Sequence, residues 1–171
     1  KVVLITGGSS GIGLSAACRF AEAGAVTIIC ARGEDKLAEA VKEIKAGAGK
    51  DAKVFSYSVD ISDEAGCAEF VKTLQEQHGG VDFLINNAGR SIRRAIEASY
   101  ERFHDFERTM QLNYFGSLRV TMGLLPGMVA KKKGHVVNIS SISVLVNAPR
   151  FSAYVASKAA LDAWTRCASS E

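Results

Sequence analysis

Short apolar runs rich in β-branched residues alternate along this chain with longer stretches of mixed polarity. The runs fall at residues 2–5, 27–30, 54–57, 83–86 and 136–139. Each is too short for a helix and nearly all apolar, the pattern of strands covered on both faces. The stretches between them carry helical spacing. They predict helices over about 12–23, closed by Gly24, and about 34–46, closed by Gly47. A third covers about 64–77, opened by Ser62 or Asp63 as N-cap. A longer one spans roughly 101–130, in which Leu112, Phe115, Leu118, Met122 and Leu125 follow the spacing of a buried stripe. The last begins near Ser152 and is still running at Glu171. Strands alternating with helices make βαβ units, so the expected fold is α/β, a doubly wound parallel sheet with helices on both faces.

Length and charge narrow the picture a little. The 171 residues suit one domain, expected over 1–171, with no internal repeat or linker. The chain opens at Lys1 directly onto an apolar run and closes in a helical pattern. The expectation is a piece cut within the last helix, lacking the C-terminal part of the fold. A net charge of +3 is too weak to point to nucleic acid or a membrane surface. No apolar run reaches the roughly 20 residues that span a bilayer. Cys18, Cys30, Cys67 and Cys167 are scattered without zinc spacing, so no metal is expected. Their isolation fits a reducing cytoplasm.

The chemistry starts between the first strand and the first helix, at Thr6-Gly7-Gly8-Ser9-Ser10-Gly11-Ile12-Gly13. Glycines let a ligand approach the main chain, and the helix N-terminus offers unpaired N–H groups to a pyrophosphate. Gly7, Ser9, Ser10, Gly11, Ile12 and Gly13 are therefore candidate dinucleotide contacts. A Walker loop is disfavoured by the absence of Lys-Ser/Thr after the last glycine. The second strand ends in Ala31-Arg32, where an NAD site carries an acidic residue for the ribose hydroxyl. Arg32 suits a 2′-phosphate instead, and Lys36 lies one helical turn on. NADP (NADPH) is the expected cofactor in this Rossmann-like fold.

The second half carries Asn86-Asn87-Ala88-Gly89, then Asn113, then Ser140-Ser141, then Tyr154-Val155-Ala156-Ser157-Lys158. Tyr154 and Lys158 are four apart and share a helix face. A phenol with pKa near ~10 is a poor acid–base group at neutral pH. An ammonium ~4 Å away at an effective dielectric of ~20 favours phenolate by about 4 kcal/mol before screening, roughly three pKa units. Tyr154 can then protonate a carbonyl oxygen, with Ser141 hydrogen-bonding the same oxygen.

In order and spacing these motifs resemble the short-chain dehydrogenase/reductase family: the TGxxxGxG loop, NNAG, and a serine thirteen residues before YxxxK. The resemblance implies roles residue by residue. Asn113 supports a water-mediated proton relay through the lysine, and Lys158 also holds the nicotinamide ribose, with Tyr154 beside it. Asp60, with Ile61 next to it, binds adenine. Asn87, Ala88 and Gly89 line the cofactor cleft, while Asn86 and Ser140 are structural. The fourth and fifth helices pair across a two-fold axis, implying a homodimer or homotetramer.

Substrate is carried by RSIRRAIEASYERFHDF at 90–106. Arg90, Arg93 and Arg94 suit an anionic substrate such as a coenzyme A thioester. With Glu97, Glu101, Asp105 and Glu107 they equally make an ordinary mixed-charge surface helix, and both readings stay open. The run from NNAGRSIRRAIEASYERFHDFERTM onward, with NAPRFSAYVASKAALDAWTRC after it, resembles the reductase module of bacterial fatty acyl-CoA reductases. The GGSSGIG loop and the AR-x-EDKL run at 31–37 are also similar to 3-ketosphinganine reductase. The resemblance implies an NADPH-dependent oxidoreductase of a lipid-like carbonyl, a long-chain fatty acyl-CoA or fatty aldehyde. Two alternatives are a reductase of another ketone, such as 3-ketosphinganine or a steroid-like ketone, and a catalytically silent NADPH-binding module.

Overall fold

The computed structural model describes residues 1–171. Five parallel strands, β1 (Val2–Thr6), β2 (Val26–Ala31), β3 (Val54–Ser58), β4 (Phe83–Asn86) and β5 (His135–Asn138), form one sheet in the order β3-β2-β1-β4-β5. All four pairings are parallel, with Leu4 opposite Ile28 and Leu84 in the centre. Helices cover both faces, as the near-continuous apolar strands require. On one face α1 (Gly11–Glu22) and α2 (Glu34–Ala48) bury Ala17, Ala21, Leu37, Ala40 and Ile44 against Val3, Ile5 and Ile29. On the other, α3 (Glu64–His78) and α5 (Ser117–Ala130) bury Phe70, Leu74, Val120 and Leu124 against Leu4, Ile28 and Leu84. The chain leaves β1 toward β2 and β3, then returns to place β4 on the other side of β1. That reversal opens a crevice beyond the carboxyl ends of β1 and β4.

Several boundaries depart from the sequence pattern. β5 ends at Asn138, although Ile139 N still donates to Asn86 O at 2.9 Å. Helix α2 runs through Gly47 and stops at Gly49, whose φ of +96° is left-handed. The single helix expected over 101–130 starts at Phe103 and keeps helical backbone to Ala130, with a π-helical turn inside it. A short 3-10 turn (Glu97–Ser99) precedes α4 (Phe103–Met110), and a π-helical turn (Gln111–Gly116) leads into α5. A four-residue helix, α6 (Ser143–Val146), follows β5, and α7 (Ser152–Ala168) closes the chain. α7 stops short of Glu171 because the Ser169 and Ser170 hydroxyls both turn back to Arg166 O.

The buried stripe of α5 is also different. Phe115 and Met122 are exposed, and Leu112, Leu118 and Leu125 are half-buried. The inward face is Asn113, Gly116, Ser117, Val120, Thr121, Leu124 and Met128. Its polar members are satisfied internally: Ser117 Oγ donates to Asn113 O, Thr121 Oγ1 donates to Ser117 O, and Asn86 Nδ2 donates to Thr121 Oγ1. No helix is long and apolar enough to cross a membrane.

Candidate active site

Thr6, the last residue of β1, is fully buried, and its hydroxyl accepts from Asn87 N at 3.1 Å and Ala88 N at 3.0 Å. Asn87 Nδ2 in turn donates to Thr6 O and Gly7 O. These bonds clamp the loop after β1 to the loop after β4. The clamp leaves no room for side chains: a Cβ on Gly13 would lie 2.4 Å from Gly7 O and 2.5 Å from Asn87 Nδ2. Gly7 holds φ at +65°, the left-handed region that glycine adopts freely. Ser10, the N-cap of α1, makes no side-chain capping bond, so the first N–H groups of α1 remain available to an anion.

Beside this loop lies a cleft of about 730 Å³. Gly7, Ser9, Ser10, Ile12, Arg32, Lys36, Asp60, Ile61, Asn87, Ala88 and Gly89 line it together. Gly11 and Gly13 do not line it; they shape the turn and the helix start. Cys30, Ala31, Gly33, Val59 and Leu112 complete the walls, and sequence reasoning did not single them out for the cleft. Cys30 and Val59 sit where β2 and β3 run out toward the crevice, a position that could have flagged them. Burial pushes the Cys30 thiol up to about 12, so it stays protonated.

At the far end Arg32 Nη1 stands 3.8 Å from Asp60 Oδ2. Burial alone would raise the Asp60 carboxyl. The hydroxyl and N–H of Ser62, with the charges of Arg32 and Arg90, outweigh burial and hold it below the usual carboxylate range. The glycine cradle, the uncapped helix start and the cations at the second strand end together fit a dinucleotide bearing phosphate groups.

Beyond Gly89, at the other edge of the cleft, three elements meet. Asn113 in the π-helical turn is fully buried; its Oδ1 accepts from Arg90 N at 2.8 Å. Its Nδ2 donates to Arg90 O at 2.9 Å and to Ser157 Oγ at 2.9 Å. An extra residue per turn is what a π segment adds, and such turns recur at functional sites. From α7, Ser157 Oγ donates to Tyr154 O, and the buried Lys158 donates Nζ to Ile139 O at 2.6 Å. Burial pulls the Lys158 ammonium below the usual lysine range. Gly89 lies between these groups: a Cβ there would be 3.2 Å from Asn113 Oδ1 and 3.5 Å from Lys158 Nζ. Ser141 stands just past β5, with its hydroxyl 2.8 Å from Ser143 Oγ and accepting from Ser143 N. Ser157 and Ser143 were not anticipated; nothing in their spacing marks them. Asn86 is structural, joining Thr121 on α5 to Asn138 on β5.

The family model for short chain dehydrogenase matches residues 1–171. The chain belongs to the short-chain dehydrogenase family. A fatty acyl-CoA reductase of Acinetobacter baylyi is 54% identical to it over 171 residues, covering 100% of this chain and 57% of that protein. The chain thus spans about half the length of the curated relatives it matches. NAD+-bound xylitol dehydrogenase superposes with a TM-score of 0.90 at 30% identity, over 98% of this chain and 63% of that one. A metagenomic short-chain oxidoreductase in complex with NADP gives 0.91 at 28% identity, over 98% and 74%. Both nicotinamide cofactors therefore occur among solved dehydrogenases of this shape.

Proposed function

We propose that this short-chain dehydrogenase is the NADPH-binding and catalytic domain of a reductase of long-chain fatty acyl-CoA or fatty aldehyde. The observation that carries the reading is one cleft with cations at one end and, at the other, Gly89, which lies against the Asn113 amide and the Lys158 ammonium. Arg32 and Lys36 suit a 2′-phosphate. NADPH, when bound, supplies a hydride to the carbonyl carbon. Tyr154 gives its phenolic proton to the carbonyl oxygen, so an aldehyde becomes an alcohol. Lys158, as ammonium, stabilises the phenolate left behind and holds the cofactor ribose. Ser141 donates its hydroxyl to the developing oxyanion, with Ser143 N fixing the orientation of Oγ. Asn113 spends its whole amide on Arg90 and Ser157, so its part is to hold Gly89 and Arg90 beside Lys158 while water relays the proton.

Apolar side chains beside Ser141 support a lipid-like substrate: Ile142, Leu145 and Val146 are all more than half exposed around α6. The name of the Acinetobacter relative points the same way. A homodimer or homotetramer belongs to the same reading, since the π-helical turn and α5 leave Phe115, Met122 and Val129 exposed.

Single-turnover NADPH oxidation with a long-chain aldehyde, an acyl-CoA and a ketosphinganine tests the proposal. The aldehyde or thioester is expected to react, and Tyr154→Phe to abolish the reaction. Reaction of the ketone alone would move the substrate class, and binding of NADPH without any turnover would leave a silent module.

A further inference from the structure

Asp105 on α4 carries the one buried carboxylate of the chain, 4% exposed. Its Oδ2 accepts from Arg94 Nε at 3.1 Å and from Arg102 Nε at 3.0 Å. Its Oδ1 faces His104 Nε2 at 3.4 Å and Arg108 Nη1 at 3.9 Å. The Arg102 hydrogen bond, together with the charge of its neighbours, holds this carboxyl below the usual range. One carboxylate among three guanidinium groups is a surplus of positive charge, and a solvated mixed-charge helix has no need to bury it.

What the carboxylate grips explains the burial. Residues 90–94 form a strap pinned at both ends. Arg90 is bonded through its main-chain N–H and carbonyl to the Asn113 amide. Arg94 N donates to Arg150 O at 2.7 Å, in the loop that opens the Tyr154 helix. Arg150 holds a left-handed φ of +70°, and Asn147 one of +48°, so this loop needs outside support. Arg94 is the crossing point: its main chain holds the loop before α7, and its side chain holds Asp105.

We infer that Asp105 is a positioning residue that, through Arg94, locks the 90–94 strap to the loop before Tyr154 and so fixes the substrate wall of the cleft. The inference rests on the tyrosine–lysine reading of the site. It assigns Arg94 to the protein's own architecture and leaves Arg93, which is exposed, to meet an anionic substrate group. Cofactor binding lies on the other side of Gly89 and is untouched.

The test compares Asp105→Asn, Arg94→Met and the double variant in the full-length protein. Amide exchange over residues 90–94 is expected to quicken about tenfold or more, because an unpaired partner loosens the strap. NADPH affinity stays within about twofold, while KM for a long-chain aldehyde rises about tenfold and kcat falls less, as expected for lost orientation. The double variant loses no more than Asp105→Asn alone, which already removes the Arg94 bond along with that of Arg102. Arg94→Lys, which keeps one charged donor, restores part of the loss. Unchanged exchange, NADPH affinity falling in step with KM, or additive losses would overturn the inference. If Asp105→Asn does not fold, Arg94→Met decides the question alone, its side chain being one-third exposed. If the unaltered protein reduces no carbonyl, the proposed function fails, and exchange over the strap still judges the role of Asp105.

Discussion

Lys158 holds its ammonium where little water reaches it, with Nζ on a strand-end carbonyl and no carboxylate beside it. Burial disfavours the charged form, so the group loses its proton below the usual lysine value of about 10.4. Activity that needs the ammonium then falls as pH rises through that lowered value. Stability moves the other way. Between the lowered folded value and the ordinary unfolded one, the unfolded chain binds more protons, so stability grows with pH across that window. A profile of kcat/KM against pH is expected to show an alkaline limb below about 10. In Lys158→Met the rate drops about 10²- to 10⁴-fold, the scale of an acid–base group, and that stability gain disappears. An alkaline limb at or above the ordinary lysine value would contradict the burial argument. At the opposite end of the cleft, Arg32→Ala is expected to weaken NADPH about 10- to 100-fold, the worth of charge-assisted bonds to a phosphate. NADH should change less than about threefold, because it has no 2′-phosphate for the guanidinium to meet. Equal losses for the two cofactors, read by fluorescence titration, would remove Arg32 from the 2′-phosphate.

Elements differ in how openly they announce themselves. The five strands were legible because buried parallel strands need apolar, β-branched runs and little else. The glycine loop and Arg32 follow the first two strands in sequence, and the fold brings them to one cleft; the roles proposed for Tyr154 and Lys158 come from their spacing on one helix. The stripe through the π-helical turn and α5 was misread: the apolar pattern of Phe115 and Met122 points outward, while Asn113, Ser117 and Thr121 go inward on their own hydrogen bonds. Hydrophobic periodicity finds apolar positions, which is not the same as buried ones. Asp105 was hidden for a related reason: among Glu101, Glu107 and several arginines, one carboxylate looks like its neighbours until the fold buries it. Two glycines make the element scale testable. Gly13→Ala forces a Cβ against Gly7 O and Asn87 Nδ2 and is expected to cost about 1–3 kcal/mol of stability. Gly127→Ala, inside α5 with nothing within 4 Å of its Cβ, is expected to add about 0.5–1 kcal/mol by removing a flexible helix residue. Urea denaturation of both variants checks the pair, and a neutral Gly13→Ala would show that the clamped loop is softer than its geometry.

For the whole molecule, the proposed homo-oligomer assigns the outward face of α5 to the contact between copies. Phe115, Met122 and Val129 recur every seven residues, two helical turns, so they fall on one line along the helix. Met122 is 56% exposed and Val129 67%, a high figure for apolar groups on one stripe. The inward face of the same helix carries the polar chain from Thr121 through Asn86 and Asn138 to Thr165 on α7. Holding α5 to α7 in this way keeps the outward stripe rigid, which lowers the entropy lost on association. The proposed pairing of copies through this stripe makes a definite forecast. Met122→Glu places a charge in the middle of the line, and two copies related by a two-fold axis would bring those charges together. Sedimentation velocity is expected to show the assembly replaced by a smaller species at equal protein concentration, with the monomer's far-ultraviolet circular dichroism unchanged. Lys72→Glu, on the exposed face of α3, serves as the control and leaves the mass alone. An unaltered mass in Met122→Glu would move the contact to another face. A monomer in the unaltered protein would leave the stripe without a second copy, and the homo-oligomer would have to be given up.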